Sequence, residues 1–154
     1  MANINITINK AAIISTVESL LWKYGKAIEG ADNYKQVYNT HSEHGVNTVD
    51  NKVLSDSFIA RSREAIELLR DYMSGAITYD TAGNPSVTLA MSTRWSGRQS
   101  TLQSMVDEYV SDGMMADWLH VTSPNEAAIY NTKLVADADK ISSDIHSLGR
   151  PNVS

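Results

Sequence analysis

The sequence predicts a mainly α fold: a helical bundle of about four helices, with a β-hairpin inserted between the second and third. Three observations carry that expectation. Apolar residues recur at steps of three and four in four separate stretches, the period of a helix with one buried face. Residues 76–80 and 86–92 instead read as two strands about a Thr81-Ala82-Gly83-Asn84-Pro85 turn, the second of them alternating. The 154 residues contain no internal repeat, low-complexity run or linker, so a single domain spanning residues 1–154 is expected.

In chain order, residues 3–9 alternate, with Ile4, Ile6 and Ile8 on one side and Asn3, Asn5, Thr7 and Asn9 on the other. This is an extended arm or strand (1–9) that pairs either with a neighbouring subunit or with a sheet edge in the same chain. Asn9 suits the N-cap of a first helix whose stripe is Ile13/Ile14, Val17, Leu20/Leu21, Tyr24 and Ala27/Ile28, ending at Gly30 or earlier at Gly25. Residues 31–50 hold no period and are rich in Asn, His, Asp and Thr, which reads as a long loop suited to partner contacts.

A second helix begins near residues 51–55, with Phe58, Ser62, Ala65, Leu69 and Tyr72 on one face, and closes at Gly75. In the hairpin that follows, Val87, Leu89 and Met91 share a side of the return strand. The third helix runs from about Gln99 to His120, its stripe formed by Leu102, Met105/Val106, Tyr109/Val110, Gly113 and Ala116. Asp117 sits in its last turn, where a carboxylate opposes the helix macrodipole, and nothing local accounts for it.

The fourth helix carries the fullest punctuation. Ser123-Pro124-Asn125-Glu126 is a capping box with proline at the first helical position. Its stripe is Ala127, Tyr130, Leu134, Ala138, Ile141, Ile145 and Leu148, and Gly149 with Pro151 provides the stop. The expected length is roughly 35–40 Å, and this helix is read as the packing spine. Residues 149–154 form a short C-terminal tail.

A net charge of −5 argues against binding nucleic acid through a general basic surface. The acidity belongs to the last third, where Lys133, Lys140 and Arg150 face eight acidic residues, against ten of each sign before it. Absence of cysteine removes disulfides and thiolate chemistry. No signal-peptide or membrane-spanning run is present, so a cytosol, or a particle assembled there, is expected.

Chemistry-bearing constellations are few. His41-Ser42-Glu43-His44 offers metal-capable or general-base groups, but its spacing matches no standard site and surface-loop polarity is the preferred reading. Asp137, Asp139 and Asp144, with His146, decorate the fourth helix. With Asp107, Glu108, Asp112 and Asp117 on the third they could hold a divalent cation. The Glu-x-x-His spacing of di-iron bundles is missing, however, and a solvated acidic face is preferred. Arg94, Trp95 and Arg98 beside Gly97 fit a phosphate or base contact, a subunit-interface anchor, or a tryptophan closing the core beneath the hairpin. No nucleophile elbow, phosphate loop or dinucleotide fingerprint occurs, so no enzyme and no cofactor is expected.

The order of parts, the stretch Met115-Ala116-Asp117-Trp118-Leu119, the stretch Thr122-Ser123-Pro124-Asn125-Glu126-Ala127-Ala128-Ile129-Tyr130, and the end Gly149-Arg150-Pro151 resemble the head–tail connector (adaptor, or ring) proteins of tailed bacteriophages, particularly phages of Bacteroidota including the crAss-like group. The likeness spans about the last hundred residues, the hairpin of residues 77–91 included; residues 1–50 carry no specific match. It implies a non-enzymatic virion protein, a ring of about a dozen copies joining portal to tail and continuing the DNA channel. Implied partners are copies of itself, the portal, tail or further ring proteins and DNA in transit, with no membrane. Ile4, Ile6, Ile8, Tyr34, Tyr38, Arg94, Trp95, Arg98, Arg150 and Pro151 would then make partner contacts. Asp137, Asp139 and Asp144 would face the channel, a negative wall that lets DNA slide. Two other classes remain open: a small metal-dependent enzyme using His41, Glu43 and His44, and a helical homo-oligomeric regulatory module.

Overall fold

The computed structural model describes residues 2–27 and 49–148. In order the elements are β1 (Ala2–Thr7), α1 (Lys10–Ala27), α2 (Val49–Leu68), a 3₁₀ turn (Arg70–Tyr72), β2 (Thr78–Tyr79), β3 (Pro85–Met91), α3 (Gln99–Thr122) and α4 (Pro124–Ile145). The mainly α bundle with a hairpin between its second and third helices is therefore the architecture observed.

The sheet is antiparallel with strand order β1-β3-β2. Of the two partners open to the N-terminal segment, the same-chain sheet edge is the one found. Ile4 pairs with Leu89 and Ile6 with Val87, so the apolar residues of both strands share one face. Pro85, Val87, Leu89 and Met91 are buried while the residues between them are half-buried. Beyond β2, the amide of Ser74 donates to the Thr88 carbonyl and Met73 bridges to Leu89, extending the pairing on that edge.

The hairpin also caps α1. Asp80 accepts the amides of Ala82 and Asn84 and the Asn84 side-chain amide, which orders the turn, with Gly83 at φ +83°. Asn84 Oδ1 then accepts the Lys10 amide, and Asn9 Oδ1 accepts that of Ala12. Two of the orphan donors at the start of α1 are thus satisfied, one of them by a turn distant in sequence.

The spine of the bundle is α3, not α4 as expected. α3 packs against α1, α2, α4 and β1. Residues 112–116 are buried without a break, so this helix is covered on nearly every side at that level. α4 buries one stripe, Ala127, Tyr130, Leu134, Asp137, Ile141 and Ile145. Met105 lies beside Asp144 while Asp112 meets Asp137, so the two helices run antiparallel. Single residue Ser123 joins them.

That tight joint explains why the capping box does not close. The Ser123 amide already donates to the Leu119 carbonyl, so it is not free to donate to the Glu126 carboxylate, and the Ser123 hydroxyl makes no cap bond. At its other end α4 stops earlier than Gly149. The Asp144 carbonyl accepts Trp95 Nε1 and the Ser147 amide and hydroxyl, and Ser96 N–H donates to the Ser147 carbonyl. Leu148 is drawn into a bridge with Trp95 and left exposed instead of continuing the stripe. Among the described residues no helix is long and apolar enough to cross a membrane.

Candidate functional site

The structure redistributes the residues singled out from sequence. Ile4, Ile6 and Ile8 are buried in the chain's own core, so their side chains are not available to a partner. The reason is the register with β3, which turns Ile4 and Ile6 inward, and Ile8 continues it with its amide donating to the Pro85 carbonyl. Trp95 is half-buried and closes the junction between the hairpin exit and the end of α4, its indole N–H bonded to the Asp144 carbonyl at 2.8 Å. This is the core-closing role among the three weighed for it. A Cβ at Gly97 would lie 2.5 Å from the Trp95 ring, so the absence of a side chain there lets the indole fold back on its own loop. Arg94 and Arg98 are exposed, Arg98 in extended conformation at the N-cap of α3. Tyr34, Tyr38, His41, Glu43, His44, Arg150 and Pro151 lie outside the described residues.

What β1 presents to the exterior is the side chains of Asn3, Asn5 and Thr7 and one edge of its backbone. Gln103 on α3 clasps Thr7, accepting its amide at 3.0 Å and donating to its carbonyl at 2.7 Å. Both backbone groups of Thr7 therefore point away from β3. Antiparallel alternation turns those of Asn5 and Asn3 the same way. The cross-strand contacts agree, because Thr7 with Ser86 and Asn5 with Thr88 are joined through side chains, as expected of non-hydrogen-bonded pairs. On the hairpin side, Ile59 and Tyr79 are exposed at the rim of a groove lined by Phe58, Ile66 and Pro85.

The most chemically loaded place is the α3–α4 interface. One ligand-capable oxygen each from Glu108, Asp112 and Asp137 lies within 4.8 Å of the others. Glu108 and Asp112 are one turn apart on α3, so they share a face, and Asp137 meets them from α4. Asp112 and Asp137 are only 8% and 4% exposed, and Oδ2 of each has no donor among the described residues other than the facing carboxyl. Burial and the neighbouring Asp137 carboxyl push Asp112 up to about 8, with Lys133 opposing the shift. The Lys133 ammonium itself sits over the Tyr130 ring, 4.5 Å from its centroid. Chemically, the cluster can share a proton or bind a hard cation.

The acidic face expected on α4 is thereby corrected. Asp137 turns into the bundle because it falls on the apolar stripe, three residues after Leu134 and four before Ile141, and cannot line a channel. Asp144 is half-buried with an Oδ2 that has no partner among the described residues, and burial pushes its carboxyl up. Of the three, Asp139 alone is exposed. The puzzle of Asp117 also resolves: both of its oxygens receive Arg61 from α2, at 3.1 and 2.6 Å, and Ser57 adds a third bond at 2.6 Å.

Sequence reading missed the Asp112–Asp137 contact and the Arg61–Asp117 pair as specific partners. A signal for the first was present, since an aspartate at a stripe position of an amphipathic helix calls for a partner. Comparison of the chain with family models, curated proteins and solved structures returns no match.

Proposed function

We propose that this chain is a structural, non-enzymatic subunit of the head–tail connector of a tailed phage, assembling as a ring that joins portal to tail and continues the DNA channel. The observation that carries the reading is the outer edge of β1. The backbone groups of Asn3 and Asn5 face away from β3, clasped by Gln103 only at Thr7, and an edge strand of this kind is a template for pairing with a neighbouring copy.

Three further features support it. The order of elements and the Trp118-to-Tyr130 joint are those on which the resemblance rests. Exposed Ile59 and Tyr79 add an apolar surface beside the hairpin, away from the α3–α4 interface. The net negative charge of the last third disfavours adhesion of DNA, although on α4 it reaches solvent mainly at Asp139.

Mass spectrometry and cryo-EM of purified virions test the proposal. Copies of the chain in a ring beneath the portal are expected, and its absence from the particles removes the reading. Portal, capsid and tail genes flanking the coding sequence are the expected genomic neighbourhood.

A further inference from the structure

We infer that Glu108, Asp112 and Asp137 form a binding site for one hard divalent cation at the α3–α4 interface, with oxygen ligands from both helices. The inference is independent of the proposed virion role.

Geometry carries it. A cation held at about 2.1–2.4 Å from carboxylate oxygens places its ligands no more than about 4–5 Å apart. The three candidate oxygens all fall within 4.8 Å of one another. They project from two packed helices, which hold their relative positions better than a loop does. An acidic cluster on a surface would mean little, but this one is mostly buried. Asp137 is 96% covered and Asp112 92% covered, and the Oδ2 of each finds no donor among the described residues beyond the two carboxyls themselves. A buried carboxylate oxygen without a donor costs free energy, and two of them facing each other cost more. A divalent cation supplies the missing partner for both at once and offsets their repulsion. Glu108 is exposed and provides the open side, through which the ion enters and water completes its shell. Three carboxylates without sulfur or imidazole select Mg²⁺, Mn²⁺ or Ca²⁺ over softer metals.

The test uses the full chain, stripped with EDTA and titrated with MnCl₂. Loss of the free Mn²⁺ paramagnetic resonance signal reads the stoichiometry, and thermal unfolding reads linkage. One Mn²⁺ per chain and a Tm that rises with Mn²⁺ concentration are expected. Glu108→Gln, at an exposed position that does not threaten folding, should weaken Mn²⁺ about tenfold or more, and Asp137→Asn should abolish binding. Absence of binding by Mn²⁺, Mg²⁺ and Ca²⁺ at about 1 mM would leave a proton shared between Asp112 and Asp137 as the resolution and overturn the inference. Mn²⁺ binding that Glu108→Gln leaves unchanged would be adventitious surface binding and would overturn it equally.

Discussion

The aliphatic stem of Arg61 lies across Gly113. A Cβ at that glycine would sit 2.5 Å from Arg61 Cδ and 2.8 Å from its Cγ. Gly113 and Asp117 are one helical turn apart on α3, so the stem crosses the first to reach the second. The guanidinium then bonds both Asp117 oxygens and Glu64. These bonds, the one to Asp117 foremost, raise the Arg61 pKa further above its ordinary value. One contact thus ties α2 to the middle of α3 and gives the helix-interior glycine a reason.

The pairing has a signature in a double-mutant cycle. Arg61→Ala should cost about 1–2 kcal/mol, the lower part of the range for charged hydrogen bonds because the pair is partly exposed. Gly113→Ala should destabilise the wild type by displacing the stem. In the Arg61→Ala background the same change should stabilise by about 1 kcal/mol, the helix propensity of alanine over glycine. Urea unfolding of the four proteins checks the reversal of sign.

The latch between Trp95 and α4 should govern where that helix ends. Trp95→Phe keeps an aromatic ring but loses the N–H to the Asp144 carbonyl, a loss of about 1 kcal/mol. Gly97→Ala drives a methyl into the indole. Both should speed hydrogen exchange at the Ser96 amide, which is bonded to Ser147, and leave the amides of β1 protected.

The Asp112–Asp137 pair makes metal-free protein sensitive to pH. Asp112 is raised from 3.8 to about 8 in the fold, chiefly by burial and then by Asp137. Between those values the native state keeps a proton that the unfolded chain has released. Stability should therefore fall as pH rises from about 4 to about 8 and level off above. In EDTA, Asp112→Asn should flatten that slope, while Asp137→Asn should only lessen it and raise the Tm at pH 8, because it removes the like charge and leaves the burial. An unchanged slope in Asp112→Asn would assign the pH dependence elsewhere.

The edge of β1 that no described strand pairs with separates folding from assembly. Asn5→Pro places proline where the amide points away from β3, a position that an edge strand tolerates. Folding should be kept, with at most a small loss in Tm, while pairing with another copy through that edge is blocked. Sedimentation together with circular dichroism distinguishes a folded, unassembled variant from an unfolded one. Gln103→Ala should act in the opposite sense on that edge, exposing the Thr7 amide and carbonyl.

Much of the architecture was legible from spacing alone. The four helices, the hairpin, the alternation of β1 and the Asn9 cap are set by residues within a few positions of one another. Period and capping chemistry are local properties of the chain. The apolar stripe of α4 from Ala127 to Ile145 was readable for the same reason.

What the tertiary structure decided are the matters that depend on how helices are rotated against each other. Nothing local makes α3 the spine; it becomes so because α1, α2, α4 and β1 all lie on it. Arg61 finds Asp117 across 56 positions, and Asp137 meets Asp112 only because α3 and α4 turn back at Ser123 in one register. The same turn uses the Ser123 amide and leaves the capping box open, and Trp95, 49 positions away from Asp144, ends α4. Sequence by itself determined which faces are apolar. Packing decided which charged groups those faces would trap, because burial is a property of what covers a residue and not of the residue itself.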